Sequence, residues 1–214
     1  MYYFAGRVIR LFGKIAADAL GLSDVGKVIA PKDFDKVDSD DYVMHEDGEK
    51  IYFIIKSKKD EYCFTNLALI HLDGDSAVSK KRMLKRYNYA NHEISGVCLE
   101  TAGTVDIDVE IKFSIGSTAF SIDVDKRQLE AVKDLYKALM RISEIVSSND
   151  TLFDYAKLSV QIAKESLGRT GSQGSSPVEQ FNAINESAFQ WLKSKHSELK
   201  IKDFGFVFEK YINQ

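Results

Sequence analysis

Proline, cysteine and long apolar runs are what this sequence has least of. Two prolines among 214 residues leave no room for a long proline-rich linker. Cys63 and Cys98 are the only cysteines, too few for a disulfide scaffold and without the spacing of zinc ligands. We expect two buried, reduced thiols in strands, with a single disulfide as the alternative. No apolar run approaches the ~20 residues that span a bilayer.

Motifs of catalysis and cofactor binding are missing as well. The sequence holds no GxSxG, P-loop or GxGxxG motif. The histidines are scattered and show neither HxH nor HExxH spacing, which zinc sites use. Their positions are His45, His71, His92 and His196. We therefore expect no enzyme activity, no cofactor and no metal site.

The charge balance is slightly acidic. A formal net charge of -3 argues against nucleic-acid binding, because domains that bind nucleic acid are usually basic. An acidic stretch covers residues 33–49, but it does not place glycine where the sharp turn of a calcium-binding EF-hand loop requires one. We expect this stretch to be a solvated loop or a sheet edge.

The N-terminal residues combine apolar and basic side chains. Arg7, Arg10 and Lys14 interrupt the apolar positions, whereas a signal peptide needs an unbroken apolar segment after its basic end. We therefore expect a cytoplasmic protein whose residues 1–24 form an amphipathic helix. That helix is expected to pack on its own domain, and binding to a membrane surface is the alternative.

From residue 50 the apolar pattern has a period of two, which is typical of strands. Ile51, Phe53 and Ile55 alternate with their neighbours, and Gly116-Ser117 predicts a hairpin turn. The predicted strands cover residues 51–56, 62–65, 67–72, 80–89, 94–101, 105–115 and 118–124. About seven short strands joined by turns predict an antiparallel barrel or sandwich.

After the last strand the pattern changes to that of a helix. Asp125 is a candidate N-cap, and Gln128 follows at the position that completes a capping box. Apolar residues over positions 129–146 lie on one helical stripe, which suits packing against an open end of the barrel. The expected fold class is α+β.

The remaining residues predict a helical hairpin. Residues 147–150 are expected to interrupt the chain before a second amphipathic helix that ends at Gly168. A Gly/Ser-rich loop follows over residues 168–176, and Pro177 then begins another helix. We expect these two helices to pack antiparallel. The predicted domains are therefore 1–24, 25–147 and 148–214.

Two runs of residues are familiar from a known family. The first is Cys63-Phe64-Thr65-Asn66, leading to Leu69-Ile70, and the second is Glu100-Thr101-Ala102-Gly103, followed by alternating acidic residues. With the helix after the last strand, they make residues 25–145 resemble the bacterial pleckstrin-homology (PH) domain family. Residues after 148 resemble the YvbH-like helical extension often seen with it.

The resemblance implies a fold and a behaviour. The fold is two near-orthogonal antiparallel sheets capped by a C-terminal helix. The behaviour is ring-like self-assembly without known enzymatic activity. Ala68 departs from the family, which usually places a basic residue there, and this weakens any shared basic site nearby.

Three carboxylates share one face of a predicted strand: Asp106, Asp108 and Glu110. Residues two apart on a strand are separated by about 6.6–6.8 Å, too far to chelate one metal ion by themselves. They are expected to pair with Lys or Arg of the adjacent strand or of another subunit. The resemblance favours the contact between subunits.

Basic residues surround two predicted turns and form a candidate patch for an anionic ligand: Lys56, Lys58, Lys59, Lys80, Lys81 and Arg82. On a strand, Lys81 and Lys85 would face one way, and Lys80, Arg82 and Arg86 the other. The alternative is a solvated edge strand whose charges prevent aggregation.

Large apolar residues in the extension are the candidate anchors of assembly, because interfaces favour aromatic side chains. They are Trp191, Phe204, Phe206 and Phe208. The aromatic tail is expected either to pack back on its own chain or to dock on a neighbour. The sequence thus predicts a non-catalytic PH-like scaffold that self-associates and binds a protein partner, with a module for anionic membrane surfaces as the alternative.

Overall fold

The structure is a computed structural model that describes residues 24–74, 82–101, 108–167 and 176–212. Residues 1–23 of the predicted N-terminal helix and the Gly/Ser-rich loop up to residue 175 lie outside these ranges. Within them the chain forms two antiparallel sheets followed by helices.

The five-stranded sheet has the order β1-β2-β3-β4-β5, and the three-stranded sheet has the order β6-β7-β8. Every predicted strand is confirmed, and the short β1 is added at one edge. The strands are β1 (Lys27–Val28), β2 (Ile51–Lys56), β3 (Glu61–Thr65), β4 (Ala68–Gly74), β5 (Arg82–Asn88), β6 (Ile94–Glu100), β7 (Asp108–Ile115) and β8 (Thr118–Asp125).

Strand β7 has the alternating burial that its period-two apolar pattern predicts. Val109, Ile111 and Phe113 are buried, whereas Glu110 and Lys112 between them are half-buried on the other face. Gly116 follows with φ of 58°, a left-handed conformation that glycine adopts without steric cost. The chain therefore reverses there, and β8 pairs with β7 from Thr118 onward.

The first helix, α1 (Leu129–Leu167), is a single element of 39 residues. The predicted interruption at residues 147–150 is wrong. This segment contains neither proline nor glycine, and the Thr151 hydroxyl donates to the Ser147 carbonyl at 3.0 Å inside the helix. At 1.5 Å per residue the helix is about 58 Å long, so it extends well beyond the sheets.

The predicted capping box at the start of α1 is also wrong. A short 3-10 turn, Lys126–Gln128, precedes the helix, and Asp125 accepts from the Arg127 amide at 3.0 Å. The Gln128 side chain is used elsewhere. It accepts from the Val28 amide at 2.7 Å and donates to the Val28 carbonyl at 3.0 Å, so it fastens edge strand β1.

The main core lies between the inner faces of the two sheets and the first half of α1. Phe113 stacks on Phe120 with ring centroids 5.1 Å apart, and Phe64 lies 6.1 Å from Phe113. The stripe of α1 that faces these rings is fully buried. It comprises Val132, Leu135, Ala138, Leu139 and Ile142. The predicted packing of this stripe against the barrel is confirmed.

Residues 31–47, here named the cover segment, lie over the outer face of the five-stranded sheet. The segment consists of 3-10 turns, and its Val37 and Val43 are buried against Ile54, Cys63, Ile70 and Leu72. The acidic stretch is thus a surface loop that also closes a second small core. Cys63 is buried as predicted, but Cys98 is exposed, because its strand position puts it on the solvent face opposite Lys112.

The other two helices complete the chain. They are α2 (Pro177–Leu199) and α3 (Gly205–Tyr211). Helix α2 begins at Pro177 as predicted, with the Glu179 carboxylate accepting from the Ser176 amide at 3.2 Å. It returns along the second half of α1, where Phe153 lies 5.3 Å from His196. The predicted antiparallel hairpin is therefore present.

Residues 201–212, here named the C-terminal plug, belong to the main core. Phe204, Val207 and Phe208 are buried in it, at the spacing of one helix face. Phe206 points outward and is 54% exposed. In this structure the tail packs back on its own chain, which is one of the two expected arrangements.

The plug offers a matched pair of substitutions. Phe208→Ala is expected to lower the free energy of unfolding by about 3–5 kcal/mol, because it opens a cavity in the core. Phe206→Ala should change it by no more than about 0.5 kcal/mol, because its ring faces water. Urea denaturation followed by circular dichroism measures both. Equal losses for the two variants would contradict the assignment of the plug to the core.

Candidate interaction surfaces

The outer face of the three-stranded sheet gathers carboxylates from all three strands. Glu110 lies opposite Glu100 on β6 and Asp123 on β8, and Asp108 lies opposite Asp125. We name these residues the acidic face. Of the predicted carboxylates, Asp108 and Glu110 are here, while Asp106 lies outside the described residues.

One lysine partly neutralises the acidic face. Lys112 contacts Glu100 at 2.9 Å and Glu110 at 2.8 Å, and these hydrogen bonds raise the pKa of the lysine and lower the pKa of Glu110. Partial burial, followed by the charges of Glu110 and Asp108, raises the pKa of Asp123. The carboxylates thus repel one another, and the surface retains surplus negative charge.

The predicted pairing of Asp106, Asp108 and Glu110 with a cation of the adjacent strand stays a prediction, because the cation that binds Glu110, Lys112, lies on the same strand. Glu100 and Lys112 belong to neighbouring strands, and Lys112 also binds Glu110 on its own strand. At the other end, Arg127 binds Asp125 and lowers the pKa of that carboxyl to about 2. A role of the acidic face in contacts between subunits stays a prediction.

Among the described residues of the predicted basic patch, two cations are already paired with carboxylates. Lys56 is 4% exposed and is bound to Glu61, and Arg82 contacts Asp38 at 2.8 Å and Glu61 at 3.3 Å. These two cations are therefore neutralised within the chain. Lys58 and Lys59 are exposed in the turn after β2, and Lys80 and Lys81 lie outside the described residues.

Glu61 organises this network from a fully buried position on β3. Besides Lys56 and Arg82, it accepts from the Ser39 amide of the cover segment at 2.9 Å. A buried carboxylate is stable only when its charge and its lone pairs are satisfied. Glu61 meets this condition, and in doing so it ties the cover segment to the sheet.

Glu49 forms a second buried centre, which residue patterns alone did not reveal. Arg86 donates to both of its carboxylate oxygens, at 2.9 and 3.1 Å, and the Met44 amide donates at 2.8 Å. Thr65 donates through its hydroxyl. The strand alternation that placed Arg82 and Arg86 on one face was the available signal, because that face is the one beneath the cover segment.

Hydrogen bonding overcomes burial at Glu49. Burial by itself would raise the pKa of this carboxyl, but the hydrogen bonds from Arg86, Thr65 and the Met44 amide outweigh it and lower the pKa below the ordinary value of 4.5. The charged form is therefore the one that the folded protein stabilises.

The hairpin of α2 and the second half of α1 exposes much apolar surface. On α1 the exposed side chains recur every three or four residues, at Leu152, Tyr155, Leu158 and Ile162. On α2 they are Val178, Phe181, Ile184, Phe189 and Trp191. Exposed apolar patches of this kind mark interaction sites on soluble proteins.

The predicted aromatic anchors of the tail are only partly available to a neighbour. Phe204 and Phe208 are fully buried in the chain's own core, so the expectation that they contact another subunit does not fit this arrangement. Phe206 and Trp191 remain exposed. A role of Phe206 and Trp191 in contacts with another subunit stays a prediction.

Comparison with known proteins matches this architecture over most of the chain. Residues 19–143 match the model of the bacterial PH domain, and residues 154–214 match the model of the YvbH-like oligomerisation region. The chain belongs to the bacterial PH-domain family.

Relatives of this PH-domain protein span nearly its whole length. It is 59% identical to the uncharacterised protein YvbH of Bacillus subtilis (strain 168), covering 95% of this chain and all of that one. A crystal structure of a PH domain-containing protein from Exiguobacterium sibiricum 255-15 is 53% identical, with a TM-score of 0.81, covering 88% of this chain and all of that one. The predicted resemblance and fold class are confirmed.

In the described part of this PH-domain protein, none of the helices combines the length and the apolar character needed to cross a bilayer.

The buried carboxylate predicts a pH-dependent stability difference. Glu49→Gln is expected to lower the free energy of unfolding at pH 7 by about 1.5–3 kcal/mol, because a charged hydrogen-bonding partner is lost. The folded pKa is lowered, so this stabilisation is present above 4.5 and is lost as the pH falls through the folded pKa. Wild type and variant should therefore converge in acid.

Urea denaturation at a series of pH values measures this convergence. Glu46→Gln is the matched control, because Glu46 is an exposed glutamate of the same cover segment and should change little at any pH. A difference between wild type and Glu49→Gln that stayed constant down to strongly acidic pH would contradict the role given to the carboxylate.

Proposed function

We propose that this protein is a non-catalytic PH-like scaffold that self-associates through its helical hairpin and presents the acidic face to a protein partner. The observation that carries the proposal is the exposed apolar surface of the hairpin, which lies, apart from Leu152, within the region matching the YvbH-like oligomerisation model. A second copy of the chain is the occupant that this match favours.

The exposed residues of α1 support a defined interface rather than scattered contacts. Leu152, Tyr155 and Leu158 are three residues apart, and Ile162 follows four residues later, so they form one stripe on the helix. Tyr155 is 63% exposed and Leu158 is 51% exposed. On another side of the helix, Ala156 is buried and the Phe153 ring lies 5.3 Å from the His196 ring of α2.

The acidic face supports a second, polar contact. Glu100, Asp108, Glu110 and Asp123 share this surface, with Lys112 between two of them. A surface of one sign steers a partner of opposite charge and loses this effect as salt is added. The expected partner surface is basic, either on a neighbouring subunit or on another protein.

The alternative of an anionic membrane surface has less support. Lys56 is buried against Glu61, and Arg82, although exposed, is held by Asp38 and Glu61. Of the described residues of the predicted patch, Lys58 and Lys59 are the exposed lysines. Each basic residue near an anionic surface contributes only about 1 kcal/mol. Two lysines in one turn are therefore a weak basis for membrane binding.

The hairpin stripe gives a direct test of self-association. The double variant Tyr155→Glu, Leu158→Glu is expected to dissociate the assembly, because two charges would be buried in an apolar interface. Light scattering should then report the monomer mass of 24.1 kDa, whereas the wild type should be a larger, defined oligomer.

Lys164→Glu is the matched control for this variant. It changes the net charge by the same amount, at an exposed position of α1 outside the stripe, and should leave the oligomer intact. A wild type that is monomeric at working concentrations would overturn the proposal. So would a double variant that retains the wild-type mass.

The single tryptophan gives an independent readout of assembly. Trp191 lies on α2 and is 41% exposed in the isolated chain. If the hairpin is the interface, dilution should expose the indole to water and shift its fluorescence emission to longer wavelength. The Tyr155→Glu, Leu158→Glu variant should show the shifted emission at every concentration. An emission maximum that never changes would place Trp191 outside the interface.

A further inference from the structure

The C-terminal plug packs in a groove of the PH domain, and the groove makes specific contacts with individual residues of the plug. The groove is formed by Tyr52 at the start of β2, Asn66 after β3, Tyr89 after β5, and the neighbouring side of α1. We name it the plug groove. The segment that fills this groove, the plug, follows the helical hairpin in the sequence.

Polar contacts fix where the plug begins. Asn66 donates from its side-chain amide to Asp203 at 2.8 Å, and its backbone carbonyl accepts from the Phe204 amide at 2.8 Å. Asp203 in turn accepts from the Gly205 amide at 2.8 Å. One asparagine therefore recognises both an aspartate side chain and the next backbone amide, which sets the register of the docked helix.

Aromatic contacts recognise the buried side of the plug. The Phe208 ring stacks on Tyr52 with centroids 5.3 Å apart, and it lies 6.1 Å from Tyr89. Phe204 meets Tyr89 edge to face at 6.0 Å. Both phenylalanines are fully buried, with Val207 between them. The groove thus accepts apolar side chains at the first, fourth and fifth positions of residues 204–208.

The end of the plug is recognised by a tyrosine hydroxyl. Tyr52 donates to Glu209 at 2.8 Å. Burial, followed by this hydrogen bond, raises the pKa of Tyr52 to about 12, so its hydroxyl remains a donor over the physiological range. A carboxylate directly after Phe208 is therefore part of what the groove recognises.

Close approach favours glycine at the position after Phe204, because the Tyr52 hydroxyl that lies there also binds Glu209. A Cβ atom on Gly205 would lie 2.9 Å from the Tyr52 hydroxyl oxygen and 3.4 Å from the Asn66 Cβ. Contacts under 3.0 Å force a neighbour to move. The plug sequence, Asp-Phe-Gly-x-Val-Phe-Glu over residues 203–209, is thus matched to the groove at every position except the exposed Phe206.

We propose that the plug groove is a docking site for a short aromatic helix of this sequence, occupied here by the chain's own C-terminus and open to the same segment of a second copy. The helix of the plug, α3, is joined to α2 by residues 200–204, which reach at most about 17 Å. Association of hairpins would bring the plug of one copy near the groove of another at high effective concentration. The choice of a second copy as the source of the plug rests on the proposed self-association, whereas the existence of the docking site does not.

The test uses a full-length chain whose own plug is disabled. The variant Phe204→Ala, Phe208→Ala is mixed with a fluorescein-labelled peptide of residues 200–214, and binding is followed by fluorescence anisotropy. We expect saturable 1:1 binding, at least tenfold tighter than to the wild type, whose own plug competes. A peptide with Gly205→Ala is the control and should bind at least tenfold more weakly.

Several results would overturn the docking site. They are a folded variant that does not bind the peptide, a wild type that binds it equally well, or a control peptide that binds as tightly as the native one. If the variant unfolds, its circular dichroism is measured with and without the unlabelled peptide. Recovery of the folded spectrum supports the site, and no recovery overturns it.

Competition identifies the source of the occupant. Unlabelled wild-type chain should displace the peptide from the variant if a second copy supplies its plug, and failure to displace it would overturn that choice. Repeating the peptide titration with Tyr155→Glu and Leu158→Glu added separates the two proposals. Peptide binding retained in that background supports the groove even if the hairpin does not drive assembly.

Discussion

Burial of the apolar stripe of α1 in the main core, beside the three-stranded sheet, is the interaction on which the rest of the structure depends. Leu135, Leu139 and Ile142 close the main core, and the same helix then continues without a break beyond the sheets. A rigid helix that begins in a core and ends in solvent transmits its direction to everything that follows. The direction of the hairpin is therefore set by the packing of α1 in the PH domain.

The plug adds a second attachment at the other end of the hairpin. Phe204 and Phe208 return to the core that α1 closes, so the hairpin is anchored at both ends. Loop closure of this kind costs chain entropy that the buried aromatic area must offset. The hairpin and the stability of the PH domain are therefore linked, because Phe204 and Phe208, which fasten the end of the hairpin, belong to the core of the PH domain.

Buried charge plays a different role on the outer face of the five-stranded sheet. Glu49 and Glu61 have satisfied partners on the sheet and on the cover segment. Ion pairs of this kind add little net stability compared with apolar packing, but leaving one partner alone is costly. They therefore specify where the acidic cover segment lies on the sheet. Its buried apolar residues, Val37 and Val43, are too few to specify that position strongly. Two of the cations used here, Lys56 and Arg82, belong to the predicted patch for an anionic ligand.

The amino-acid sequence alone determined the strands, the start of α2 and the family, because period-two alternation, a proline at a helix start and short motifs are local properties. Only the tertiary structure decided what depends on distant partners. Residues 147–150 stay helical because nothing there breaks a helix already held by the core. Lys56 is buried because Glu61 lies beside it on the next strand, and the aromatic tail is a helix because a groove between α1 and the strand ends accepts it.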